Sequence, residues 1–156
     1  MFEKILSKYS LKDTFKYRQS ENLVEKCNAP TKYSGVYLIF NQDELIYIGS
    51  SGQKMKNGKL KTRKSGLGGM KDRIVNGYHP KFGKVKRKKA FPENMKIENI
   101  EELIFHWYVT FDFIKNQDFP TDVENKLCSI YKNEYNKLPV WHKQKQISNK
   151  NIIGTL

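Results

Sequence analysis

The sequence predicts an α+β fold, a small sheet of three or more strands flanked by helices. Three observations lead there. Two short runs of strand-forming residues, Val36–Phe40 and Leu45–Ile48, are separated only by Asn41-Gln42-Asp43-Glu44, which is turn chemistry, so they read as a β-hairpin. A third run, 103–111 (LIFHWYVTF), alternates, with Phe105, Trp107 and Val109 on one face and His106, Tyr108 and Thr110 on the other. Around these runs lie stretches whose apolar residues recur at helical spacing, and that mixture gives helices packed on a sheet.

In chain order, Phe2, Ile5, Leu6 and Tyr9 have helical spacing. A second short helix is expected over 20–27 (SENLVEKC), with Ser20 as its cap and Pro30 beyond its end. Residues 1–33 therefore read as a helical brace behind the hairpin. After the hairpin, 52–66 reads as a glycine- and lysine-rich loop. Leu67, Met70 and Ile74 then form one face of a short helix that Gly77 ends, and Arg73 sits at the edge of that face. The basic run Lys84–Lys89 is closed by Phe91-Pro92. After the third strand, Thr121 opens a helix with an apolar stripe of Val123, Leu127, Ile130 and Tyr131, and Pro139 lies beyond it. The tail 143–156 is polar except for Ile152-Ile153.

The 156 residues are expected to form a single domain, with 34–142 as its core. The N-terminal segment MFEKILSKYS lacks the apolar run of a signal peptide, and no stretch approaches the ~20 apolar residues of a membrane span. The two cysteines, Cys27 and Cys128, match no metal spacing. A reduced, cytoplasmic protein without a membrane partner is the expectation.

Charge is segregated. From Gln53 to Lys89 there are fourteen Lys or Arg and one acid, Asp72, whereas the rest of the chain carries fifteen basic and fifteen acidic residues. The whole net charge of +13 thus lies in the segment following the hairpin, which points to a polyanion, nucleic acid first. Lys54, Lys56, Lys59, Lys61, Arg63 and Lys64 are the expected DNA-backbone contacts, and Lys84, Lys86, Arg87, Lys88 and Lys89 extend that surface.

The hairpin also carries Gly35-Val36-Tyr37 and Tyr47-Ile48-Gly49, followed by Arg73 in MKDRIVNGYH and Glu124 in DVENKLCSIY, then Leu138-Pro139-Val140-Trp141-His142. In these motifs and in their order the chain resembles the GIY-YIG nuclease family. The resemblance covers about 34–142, and the long basic insertion between Gly49 and Arg73 resembles that of restriction endonucleases in the family. It implies a metal-dependent DNA endonuclease with catalytic Tyr37, Tyr47, Arg73 and Glu124, acting on duplex DNA and possible as a homodimer on it. Glu124 would bind Mg²⁺ or another divalent cation, Tyr37 would be the general base, and Gly35 and Gly49 would serve as structural motif residues. Many members have a His four residues after the Arg. This chain has Gly77 there, with His79 two residues on as a candidate for that role, and His142 stands where the family has an Asn.

The residue types suit the chemistry. A guanidinium grips phosphate through a bidentate fork, and a single carboxylate suits Mg²⁺ completed by water and phosphate oxygens. Each also has a plainer reading. Thr121-x-x-Glu124 is a capping box, Tyr37 and Tyr47 fit core aromatics, and on strict alternation Tyr47 shares a face with Leu45. A non-catalytic nucleic-acid-binding module is the alternative function.

Overall fold

The computed structural model describes residues 1–143. The expectations for the polar tail fall on 144–156, outside the described residues.

The centre is an antiparallel sheet of four strands in the order β1-β6-β2-β3: β1 (Lys12–Arg18), β2 (Ser34–Asn41), β3 (Glu44–Ser51) and β6 (Glu102–Phe111). A two-stranded ribbon of β4 (Gln53–Lys54) and β5 (Leu60–Lys61) stands on the basic segment. Five helices complete the fold: α1 (Glu3–Leu6), α2 (Leu23–Lys26), α3 (Gly69–Asn76), α4 (Arg87–Glu98) and α5 (Pro120–Tyr135). The fold class is α+β, as the sequence predicts.

β2 is buried along both faces because helices cover the sheet on both sides. Tyr37 and Ile39 of β2, with Phe105, Trp107 and Val109 of β6, pack under α2, α3 and α4. Val36 and Leu38 face the other way, onto Phe2, Leu6 and Tyr9 and onto Val123, Leu127 and Tyr131 of α5. A strand with apolar residues at every position suits such a central place, because each side chain loses water whichever way it points.

The structure departs from the sequence reading in several places, and one is the ribbon of β4 and β5 within the segment that reads as a loop. The N-terminal brace is not wholly helical: residues 12–18 form edge strand β1, paired with β6 in the register Phe15 to Phe105, and the two rings stack at 4.4 Å. Only Phe15 and Tyr17 of this strand are buried, so the alternating signal is two residues long amid charged neighbours, as befits an edge strand. The second short helix is capped by Asn22, whose side chain accepts from the Val24 and Glu25 amides, so Ser20 is not its cap.

Phe91-Pro92 does not close the second basic run. α4 runs through Pro92, which costs about 3 kcal/mol in a helix interior. Phe91 and Met95, both fully buried, stabilise by roughly 1.5–3 kcal/mol each and outweigh that cost.

Candidate functional site

The hairpin's turn places Gln42 at φ 53°, and a register shift follows between Ile39 and Phe40. Tyr47 pairs with Ile39, while Leu45 pairs with Phe40. This bulge separates two residues that strict alternation puts together: Tyr47 joins Tyr37 on one face of the sheet, and Leu45 lies in the opposite core. The two tyrosine rings lie 6.2 Å apart. Tyr37 pairs with Gly49, where any Cβ would sit 2.5 Å from the Tyr37 hydroxyl, so glycine is required by close approach. At Gly35 a Cβ would be 2.9 Å from Met70 Cε and would collide with the Tyr108 carbonyl.

Both tyrosines are interior. Tyr37 is 0% and Tyr47 5% exposed, so neither side chain is open to solvent. Burial, followed by the neighbouring Tyr37, pushes the Tyr47 phenol well above its ordinary value.

The residue that sequence reasoning misplaced is Arg87. Expected on the DNA surface, it is 0% exposed. Its Nη1 donates to the Tyr37 hydroxyl and, at 3.3 Å, to the Arg73 carbonyl, and its Cζ lies 5.5 Å and 5.6 Å from the Tyr37 and Tyr47 ring centres. The signal was in the sequence: Arg87, Ala90, Phe91 and Met95 recur at helical spacing and are all buried. The surrounding lysines concealed it. Lys84, Lys86, Lys88 and Lys89 are exposed.

Arg73 reaches solvent. It lines a cleft of about 550 Å³ together with Ser50, Ser51, Lys61, Lys64 and Thr121. Gly77 allows the close return of the chain, since a Cβ there would lie 3.0 Å from Arg73 Nη1. Glu124 lies on α5, beside Ser50 and within electrostatic reach of Arg73 and Arg87. It is not part of a capping box: α5 begins at Pro120, its cap residue is Phe119, and no side chain caps it. Burial raises the Glu124 carboxyl above its ordinary value, against the opposing pull of neighbouring Ser50 and the two arginines.

Of the loop cations, Lys54, Lys56, Lys59, Lys61 and Lys64 are exposed. Lys54 also lies over the Phe119 ring, 4.8 Å from its centre. Arg63 differs, because it is committed to the buried carboxylate of Asp72, which also accepts from the Leu67 amide and Asn76. It anchors the loop to α3 while also lining the Arg73 cleft.

His79 is not a proton shuttle. It is fully buried between the rings of Tyr47 and Phe82 at 4.3 and 4.4 Å, and burial depresses it to about 2, so it is neutral at physiological pH. His142 stacks on Tyr47 at 4.6 Å, and its Nε2 accepts from the Ile48 amide at 3.0 Å, which ties the segment after α5 to β3.

Among the described residues no group of three or more His, Cys, Asp or Glu forms a metal site. Glu124, beside the Ser50 hydroxyl, fits only an ion that takes one carboxylate and completes its shell with water and phosphate oxygens. A second hollow, about 590 Å³, lies on the opposite face among Phe2, Leu38, Phe40 and Tyr131 and contains none of these residues. Among the described residues no helix is long and apolar enough to cross a membrane. No family model, curated protein or solved structure matches this chain.

Proposed function

We propose that this protein is a Mg²⁺-dependent DNA endonuclease of the GIY-YIG type. The observation that carries the reading is Arg73 lining one cleft with Ser50, Lys61 and Lys64, with the Glu124 carboxyl of α5 within electrostatic reach of Arg73. Residues far apart in sequence bring together a phosphate-gripping cation, a carboxylate and a basic surface, which phosphodiester hydrolysis requires.

In the reaction, water adds across a P–O ester bond. The water oxygen joins phosphorus, and a proton ends on the departing sugar oxygen. Arg73 grips the non-bridging phosphate oxygens and offsets the charge that develops on them. Glu124 would hold the cation, which when bound would act as a Lewis acid on the phosphate. The exposed lysines bind the backbone without reading sequence. Tyr37 and Tyr47 lie in the core against which α3, the Arg73 helix, packs. The general-base role expected of Tyr37 conflicts with its burial, since a base must touch the water it deprotonates. A restriction-type reaction on both strands would use two copies of the chain.

That same burial favours the second reading, a nucleic-acid-binding module without catalysis. Incubation of plasmid and short duplexes with Mg²⁺ or EDTA separates the two. Cleavage that requires the cation and is lost in Glu124→Ala and Arg73→Ala supports the nuclease. Tight binding without cleavage by the wild type leaves the binding module.

A further inference from the structure

We propose that Arg87 is a positioning residue, a buried clamp that joins Tyr37 on β2 to the last turn of α3 and thereby aims Arg73 into the cleft. The inference rests on the nuclease reading and extends it to a residue outside the motifs.

The clamp is made of short links. Arg87 Nη1 donates both to the Tyr37 hydroxyl and to the Arg73 carbonyl. The Arg87 amide donates to the Gly77 carbonyl at 3.1 Å, and the Gly77 amide donates back to the Arg73 carbonyl at 3.1 Å. One residue at the start of α4 thus holds the end of α3 by its main chain and the sheet by its side chain. Arginine is donor only, so the Tyr37 oxygen must accept from it.

The energetics point away from a packing role. The guanidinium is fully buried, its neighbours are the Tyr37 and Tyr47 phenols with the Glu124 carboxyl in electrostatic reach, and among the described residues no carboxylate forms an ion pair with it. Burying such a cation is costly, and an apolar side chain of similar size fills the same space without that cost. Stability and activity should therefore move apart when Arg87 is replaced.

The test uses Arg87→Met, Arg87→Lys and Tyr37→Phe in the full chain, with thermal melts, single-turnover cleavage and duplex affinity measured by anisotropy in EDTA. Arg87→Met is expected to melt at or above the wild-type temperature and to bind duplex with unchanged affinity. Its cleavage rate should fall roughly 100-fold, the scale of a small misplacement of a reacting group, with KM unaltered. In a Tyr37→Phe background the same change should add little, because both act through one unit. Arg87→Lys keeps the charge but not the planar fork and should recover about tenfold of the loss. If Arg87→Met does not fold, Arg87→Lys decides: a reduced rate at unchanged KM supports the clamp, and a wild-type rate overturns it. Wild-type cleavage by Arg87→Met, additivity with Tyr37→Phe, or a loss confined to DNA affinity also overturns it. Absence of cleavage by the wild type with any divalent cation instead removes the nuclease reading itself.

Discussion

The Arg63 Nε lies 2.5 Å from Asp72 Oδ2, and this pair fastens the basic loop to the helix that carries Arg73. It engages the only acid in a segment of fourteen cations. Asp72→Ala should destabilise the protein by about 2–4 kcal/mol, somewhat less than for a fully buried pair because Arg63 is partly exposed. Chemical denaturation measures this, and Asp72→Asn should recover part of it through the Leu67 and Asn76 bonds. Burial works to raise the Asp72 carboxyl, but bonds from Asn76, Arg63 and Leu67 outweigh it and hold the group below its ordinary 3.8. The folded value is depressed, so this stabilisation is complete above 3.8 and is lost as pH falls through the lower folded value.

Acid should also act through the histidines. Burial lowers His79 to about 2 and His142 to about 4, against 6.5 when unperturbed. Both are depressed, so their contribution is full above pH 6.5 and falls as the unfolded chain takes up protons below it. Each group adds at most about 1.4 kcal/mol per pH unit to the slope. Melting temperature should therefore decline from pH 6.5 towards 4, and His79→Phe with His142→Gln should flatten that decline. An unchanged slope would mean that neither histidine is held neutral.

The exposed lysines should govern affinity rather than chemistry. Replacing Lys54, Lys56 and Lys59 with Gln should weaken duplex binding and reduce the slope of log K against log salt by about 0.9 for each phosphate no longer neutralised. The effect should be similar for unrelated DNA sequences. Fluorescence anisotropy over a salt series checks both points.

Gly49→Ala tests the close approach to Tyr37. The new methyl would meet the Tyr37 hydroxyl at 2.5 Å, so Tyr37 must shift. A loss of about 1–3 kcal/mol is expected, typical of overpacking in a rigid core. Tyr37→Phe removes the hydroxyl and should relieve part of that loss in the double variant, as a thermodynamic cycle will show.

Much of the fold was legible in the residues. The hairpin, β6 and α5 announced themselves because long apolar runs carry a clear period, and these are the elements that build the two cores. β1 was missed because only Phe15 and Tyr17 of an edge strand are buried. α4 was missed because lysines hid its apolar face and Pro92 looked like a stop. Arg73 and Glu124 were singled out by the motif order of the family resemblance, whereas Arg87 looked like one more cation in a basic run.

The sequence by itself determined the α+β class, the hairpin that carries Tyr37 and Tyr47, and the placing of all the net charge after it. These follow from composition and local periodicity, which each segment carries independently of its neighbours. Only the tertiary structure decided which charges meet water. It buried Arg87 under Tyr37, committed Arg63 to Asp72, sealed His79 among aromatic rings and left Arg73 at the cleft. Burial depends on what packs above a residue. For a long side chain such as arginine, one helical turn of placement separates a phosphate contact from a clamp in the core.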